Sequence, residues 1–399
     1  MKDKQIEKLI KGEEGRQKKN ISLIASENYV SDDVLKALGS KLTNKYSEGY
    51  PGHRYYGGQT FTDKVELLCQ ERALKLFKLN KKDWAVNVQP LSGSPANLAV
   101  YIASVPLGGK IMGMSLDHGG HLTHGHKVSA TGKIWQQVAY GVDAKTEMLD
   151  YEAIAKLAKE AKPNIIVAGY TAYPRIVDFK KFRDIADNCG ALLMVDMSHF
   201  AGLVAGGAYP SPFAYADVVT TTVHKTLRGP RSAMIFSRRD KTQVNTKGNT
   251  VNLCDLIDKA IFPGLQGGPH MNQIAAVAVA LKEASTPAFK TYVKQVIKNA
   301  KVLADELQKL GWRIVSGGTD SHLILMDTWM AGMGMPGAEA SLKLEKVGII
   351  VNKNTIPNET RSAYDPSGIR LGTAGETTRG AKEKDMVKLA KRIDQALKK

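Results

Sequence analysis

The chain has 399 residues, 56 Lys+Arg against 39 Asp+Glu, and a formal net charge of +17. With 43% hydrophobic and 24% charged residues, it is not a mainly disordered chain. No stretch approaches the ~18 uninterrupted apolar residues of a membrane-spanning helix, and the length predicts roughly two or three domains.

The first residues, MKDKQIEKLI, interleave charges with single apolar side chains, so the apolar core of a signal peptide is missing. Cys69, Cys189 and Cys254 are odd in number and far apart, which argues against a disulfide framework or a cysteine-based zinc site. A cytoplasmic protein without membrane attachment is expected. The two ends of the chain supply part of the basic excess, and no block of five or six like charges occurs. Lys290, Lys294 and Lys298 form an i, i+4 row, expected to be a solvated helix face. The densest basic segment, 225–247, holds seven positive charges against Asp240.

From about residue 62 to 240, short apolar runs alternate with amphipathic segments, predicting βα units around a mostly parallel sheet flanked by helices. Strands are predicted at 110–116, 164–169, 191–197, 217–222 and 233–237. Helices are predicted at 151–162 and 178–189, the second closed by Gly190. After Pro287, Val293, Val296, Ala300, Leu303, Leu307 and Leu310 recur at three and four residues, a long amphipathic helix. A smaller α+β unit follows, ending in a helix with Met386, Ala390, Ile393 and Leu397 on one face. This divides the chain into 1–285, an N-terminal arm with a large α/β domain, and 286–399, a small C-terminal domain.

In open α/β sheets, ligands bind beyond the carboxyl ends of the strands. Three segments there carry chemistry. In Ser92-Gly93-Ser94-Pro95, Ser94 reads as an N-cap and Pro95 as a first-turn residue; Gly93 admits backbone N–H groups close to an anion, so either a phosphate cradle or an ordinary capped helix fits. Asp196 ends an apolar strand, as a turn residue or as a carboxylate for a cationic ring nitrogen. Lys225 follows the strand DVVTTTV, where burial and neighbouring Arg228 and Arg231 would push it toward the neutral, nucleophilic amine; the plain alternative is a lysine that reaches the surface. Taken together, an anion cradle, an acid and then a lysine about 30 residues on are what pyridoxal phosphate requires.

The lysine segment DVVTTTVHKTLRGPR closely resembles that of the serine hydroxymethyltransferase family. So do LIASENYVS (23–31), KYSEGYPGHRYYGG (45–58), LDHGGHLTHG (116–125), VDMSHFAGLVAGG (195–207), FPGLQGGPH (262–270), GGTDSHLILMD (317–327), VNKNTIPNET (351–360) and SGIRLGT (367–373). These strings span nearly the whole chain in family order. The resemblance implies the pyridoxal-phosphate-dependent transferase fold type I, like aspartate aminotransferase. It also implies a homodimer with shared active sites, or a dimer of dimers, and reversible transfer of the serine hydroxymethyl group to tetrahydrofolate, yielding glycine and 5,10-methylenetetrahydrofolate.

By the same resemblance, Lys225 carries the cofactor as a Schiff base, Asp196 faces the pyridinium nitrogen, and His121 stacks on the ring. Thr171, His199 and His224 lie at the cofactor. Ser92, Gly93 and Ser94 hold the phosphate, helped by Tyr46, Gly267 and Gly268 across the subunit boundary. Arg370 takes the substrate carboxylate with Ser26 assisting, since guanidinium binds carboxylate bidentately. Glu48 is the acid–base residue near the serine hydroxyl, with Tyr56 beside it. Leu116, Gly120, Leu122, Asn354, Ser362 and Tyr364 fall at folate positions.

Histidines 118, 121, 124 and 126 have a spacing that can ligate zinc or nickel, but no Cys or Asp/Glu set completes a site, so no metal is expected. Val223, Pro90-Leu91, Ser232-Ala233, Ser321 and Ser362-Ala363-Tyr364 depart from the family pattern without touching Lys225, Asp196 or Arg370. Two other functions compete with the transferase reading. One is a folate-independent aldolase on β-hydroxy amino acids, opposed by Glu48 and Asn354. The other is a basic RNA-binding protein on an enzyme fold, opposed by the intact Lys225, Asp196 and Arg370 and by the lack of a clustered basic and aromatic stripe.

Overall fold

In the computed structural model, residues 1–244, 248–329 and 334–398 are described; Lys247, the last charge of the densest basic segment, lies outside them. Seven strands form the central sheet: β1 (Trp84–Asn87), β2 (Lys110–Met114), β3 (Gln136–Tyr140), β4 (Ile165–Gly169), β5 (Leu192–Asp196), β6 (Val218–Thr222) and β7 (Ala233–Arg238). Their order is β1-β7-β6-β5-β4-β2-β3. Strands β2 to β6 pair in parallel, and β7 runs antiparallel to both β6 and β1. Six strands therefore share one direction, the mostly parallel α/β sheet expected.

Strands β4 and β6 are buried at every residue and β5 at all but its first. Burial on both faces explains why they read as continuous runs rather than alternations. The five predicted strands are all present, shifted by a residue or two at their ends. The sequence reading missed β1 and β3. The first has only four residues, and the second is an edge strand with one fully buried position, so each carries an apolar run of only three residues.

Helix α1 (Lys4–Lys19) buries none of its side chains within the chain. Helix α2 (Gly93–Ser104) follows β1 and starts from Ser92, not Ser94: Ser92 is the extended cap residue and makes no capping hydrogen bond of its own. Helix α3 (Pro287–Lys309) opens with Thr286 accepting from the Phe289 N–H and with Pro287 in its first turn. Up to Val296, its inner face belongs to the core of the central sheet. From Ala300 onward it belongs to a second core with Trp312, Ile324, Leu389 and Ile393. The texture of the sequence changes near residue 285, while the change of core falls inside α3.

The second core covers an antiparallel sheet of β8 (Arg313–Ile314), β9 (Leu323–Asp327), β10 (Asn352–Asn354) and β11 (Gly368–Gly372), in the order β8-β9-β11-β10. The terminal helix Glu383–Leu397 packs on it through Met386, Ala390, Ile393 and Leu397. The segment after α1 joins this unit as well: residues 21 and 22 pair in parallel with 349 and 350, and Leu23 lies in the second core.

A buried ion network shapes the loop after the first helices. Arg54 donates to Glu66 at 2.6 Å and Asp63 at 2.9 Å, and its other nitrogen donates to the carbonyls of Ser47 and Gly49. Glu66 is fully buried and also accepts from Gln89. One guanidinium thus fixes the backbone on either side of Glu48. Arg54→Met leaves Glu66 buried without its cation and is expected to cost about 3–5 kcal/mol, read as a lower urea midpoint than that of the parent protein.

Candidate active site

Beyond the carboxyl ends of β5 and β6 lies a cavity of about 120 Å³, walled by the start of α2, the end of β5 and the turn that follows β6. Asp196 sits at its floor. Its Oδ1 accepts from the Ser198 hydroxyl (2.6 Å) and Ser198 N–H (3.1 Å), and its Oδ2 from Asn97 (2.9 Å) and His124 Nε2 (3.1 Å). Burial alone would raise this carboxyl, but His124, through hydrogen bond and charge, together with Ser198 and Asn97 outweighs it. The group is held far below the carboxylate range.

Lys225 enters from the turn after β6, and its Nζ donates to the Thr222 hydroxyl at 2.9 Å. Burial pushes its amine down to about 8; Asp196 opposes the shift, and Arg370 and Arg231 add to it. A lysine near neutrality in a cavity is a nucleophile in waiting. The second cation is not the one expected. Arg228 lies over the rings of Tyr292 (4.4 Å) and Phe289 (5.4 Å), and the electrostatic role assigned to it belongs to Arg370.

Arg370, on β11, is nearly buried and donates to the Thr171 carbonyl at 2.6 Å and to Asn352 at 3.1 Å. Thr171 lines the cavity and anchors its own hydroxyl on the carbonyls of Gly119 and Gly120. His121 pairs with the Thr123 hydroxyl at 2.7 Å, and burial, with His124 next, brings it down to about 4. His199 meets His322 at 3.4 Å, and burial drives both downward. Burial brings His224 down to about 3, so His121, His199 and His224 face the cavity uncharged at neutral pH.

The lining fits a phosphorylated pyridine aldehyde at both ends. Gly93 is obligatory, since a Cβ there would stand 2.8 Å from the Thr222 methyl; the bare backbone opens the N-terminus of α2 to an anion. Ser92 spends no hydroxyl on capping, Arg231 lines the same wall, and His224 Nδ1 is buried without a partner among the described residues. At the opposite end, the ionised Asp196 suits a protonated ring nitrogen.

Ser92, Gly93, Ser94, His121, Thr171, Asp196, His199, His224 and Lys225 all line this cavity. Other residues picked from the sequence do not. Tyr46 and Tyr56 pack edge to face at 5.0 Å, and the Tyr46 hydroxyl donates to Glu48 at 3.2 Å. Gly267 and Gly268 lie against Tyr46 and Glu48, so these five residues form a separate, half-exposed cluster. Ser26 is half-buried in the segment beside the second core. Leu116 and Gly120 flank the loop below Thr171, Leu122 is partly exposed, and Ser362 and Tyr364 are exposed. The Asn354 amide donates to the neighbouring Thr355 carbonyl at 2.7 Å.

The four spaced histidines are used separately. His118 Nδ1 accepts from the Val142 N–H, His124 holds Asp196, His121 pairs with Thr123, and His126 Nδ1 accepts from the Val128 N–H. The sequence reading missed Asn97, His124, Ser198, Thr222 and His322. Asn97 lies one turn into the helix whose start was singled out, and its Oδ1 accepts from Thr220 on β6, a link between sequence-distant residues that spacing does not reveal.

A family profile described as serine hydroxymethyltransferase matches residues 1–393. The chain is similar to "Serine hydroxymethyltransferase" of Desulfotalea psychrophila, 53% identical over 395 residues covering 99% of this chain and 88% of that protein. It is similar to "Serine hydroxymethyltransferase, cytosolic" of Candida glabrata, 51% identical over 404 residues, 99% of this chain and 86% of the other. It is also 50% identical over 405 residues to "Serine hydroxymethyltransferase, mitochondrial" of Kluyveromyces lactis, covering 99% and 80%. With a matching cavity and a match over nearly its whole length, the chain belongs to the serine hydroxymethyltransferase family.

Proposed function

We propose that the chain transfers the hydroxymethyl group of serine reversibly to tetrahydrofolate, giving glycine and 5,10-methylenetetrahydrofolate, with pyridoxal phosphate as resident cofactor. The observation that carries this reading is the buried Lys225 amine, brought to about 8 in a cavity that also holds an ionised Asp196. Membership of the family supports the same cofactor and co-substrate. A cytoplasmic enzyme is proposed; relatives named cytosolic and mitochondrial are both known.

Ser92, Gly93, Ser94, His224 and Arg231 would hold the cofactor's phosphate, Asp196 its ring nitrogen, and Lys225 its aldehyde carbon as a Schiff base; His121, Thr171 and His199 line the remaining walls. When bound, the cofactor supplies an electron sink for the carbanion left at the amino acid's α-carbon. The chain's own residues do the rest. Arg370 offers a fixed, charged fork to the substrate carboxylate, its unused N–H groups still available, with Ser26 assisting. Lys225, its amine brought down to about 8, gives and takes a proton at Nζ without leaving the cavity. The uncharged His121, His199 and His224 line the site without adding positive charge that would compete for the carboxylate.

Glu48 and Tyr56, with Tyr46, Gly267 and Gly268, lie outside the chain's own cavity. Their clustering supports a homodimer in which they complete the partner's site. There Glu48 would move the proton of the serine hydroxyl while the Cα–Cβ bond breaks. Leu116, Gly120, Leu122, Asn354, Ser362 and Tyr364 are proposed to receive the folate. The division at residue 285 is likewise proposed, with Arg370 and the folate residues 354–364 on the smaller unit.

Two measurements test this reading. Serine is expected to yield glycine at a substantial rate only with tetrahydrofolate present, followed by amino-acid analysis; equal cleavage without folate would favour the β-hydroxy amino acid aldolase. The second concerns Lys225, whose amine titrates at about 8 folded and at 10.5 in its ordinary state. Between those values the unfolded chain holds more protons, so burial of the lysine weakens the fold fully below pH 8 and not at all above 10.5. In cofactor-free protein, the stability difference between Lys225→Met and the parent is therefore expected to shift toward the parent as pH rises through that window, measured by urea unfolding.

A further inference from the structure

Among the side chains that hold the turn presenting Lys225, one lies outside the cavity and bonds the lysine's own carbonyl. Asn28, in the segment after Leu23, donates through Nδ2 to the Lys225 carbonyl at 3.0 Å and to the Tyr292 hydroxyl at 2.8 Å. Its Oδ1 accepts from the Thr378 hydroxyl at 2.7 Å and from the Tyr29 N–H at 2.9 Å. Both donors and both acceptor positions of the amide are engaged. The four partners lie on the N-terminal segment, the lysine turn, α3 and the short helix Ala374–Thr378.

The turn itself is strained. Arg228 has φ +58, a left-handed conformation unusual for a side chain with a Cβ. The Arg228 N–H donates back to the Lys225 carbonyl at 3.1 Å, and the Gly229 N–H to the Val223 carbonyl at 2.9 Å. Arg228 is covered by the ring of Tyr292, the same residue whose hydroxyl meets Asn28. A strained turn persists only where its surroundings over-determine it. Here the surroundings include the carbonyl bond from Asn28, the ring above Arg228, and the Thr226 hydroxyl, which donates to the His199 carbonyl and accepts from the Gly202 N–H.

We propose that Asn28 is a positioning residue, which fixes the Lys225 carbonyl and so aims the lysine's Nζ at the cofactor carbon. This rests on Lys225 being the cofactor's attachment point. Asn28 touches neither the cavity nor a reacting atom. Its effect passes through the lysine backbone, and it ties that backbone to the segment carrying Ser26 and to the helix that follows Arg370.

The test uses parent protein and variants freed of cofactor with cysteine, then given pyridoxal phosphate. Covalent uptake is followed by visible absorbance, and the attachment site is fixed by borohydride reduction and located by peptide mass. Visible circular dichroism reports the cofactor's orientation, and far-ultraviolet circular dichroism the folded fraction. Asn28→Ala is expected to slow uptake per folded molecule by about 10- to 100-fold, the scale of an ångström-sized misplacement, and to change the visible dichroism. Asn28→Asp keeps the acceptor and loses the donor, so it should behave like Asn28→Ala. Tyr292→Phe keeps the ring over Arg228 and frees one bond of the amide, so it should slow uptake to a lesser degree; it carries the test if Asn28→Ala does not fold. Uptake and dichroism at parental values in the folded variants, or restoration by Asn28→Asp, would overturn the proposal. Failure to find the cofactor on Lys225 in the parent would instead overturn the assignment of that lysine, and the positioning role with it.

Discussion

An ionised carboxylate buried at the end of a parallel strand is the constraint on which this active site depends. Asp196 is tolerated in the interior only because four hydrogen bonds reach it, from Ser198 twice, Asn97 and His124. Those donors come from the loop after β5, from α2 and from the loop after β2. Asn97 is oriented in turn by Thr220 on β6. Holding one charge in place therefore aligns the N-terminal end of α2 with the strand that leads to Lys225.

The same burial sets the protonation of everything around it. A low-dielectric cavity penalises cations, and the lysine and the facing histidines shift downward accordingly. Asp196 restrains that shift for Lys225, whose amine comes down only to about 8. Arg370 resists loss of its charge even at about 10, so it remains the group that can hold an anion permanently.

Much of this was legible in the sequence. The buried strands announce themselves as apolar runs, and Gly93, Asp196 and Lys225 sit where strand ends place ligands. The family strings located the remaining cavity residues. Part of what escaped acts at long range: Asn97 and His322 bond partners 99 and 123 residues away. Arg228 was placed beside Lys225 by sequence proximity alone, whereas its left-handed backbone turns it toward Tyr292. The cap at Ser92 was misread as Ser94 because both are serines flanking a glycine. Edge strand β3 carries an apolar run of only three residues and stayed invisible. The basic excess that first suggested nucleic acid includes Lys225 and Arg231, which turn inward to the cavity.

Helix α3 passes from one hydrophobic core into the other without interruption. At 23 residues it is a rod about 34 Å long, with no loop at the crossing to absorb an angular change. The two units are thus geared together. A tilt of the smaller one about its first strand has to bend this rod or slide its packed face along the larger core. Arg370 and Lys225 stand on opposite sides of that crossing, so the stiffness of this helix, together with the bond from Arg370 to the Thr171 carbonyl, limits how far the two can move apart.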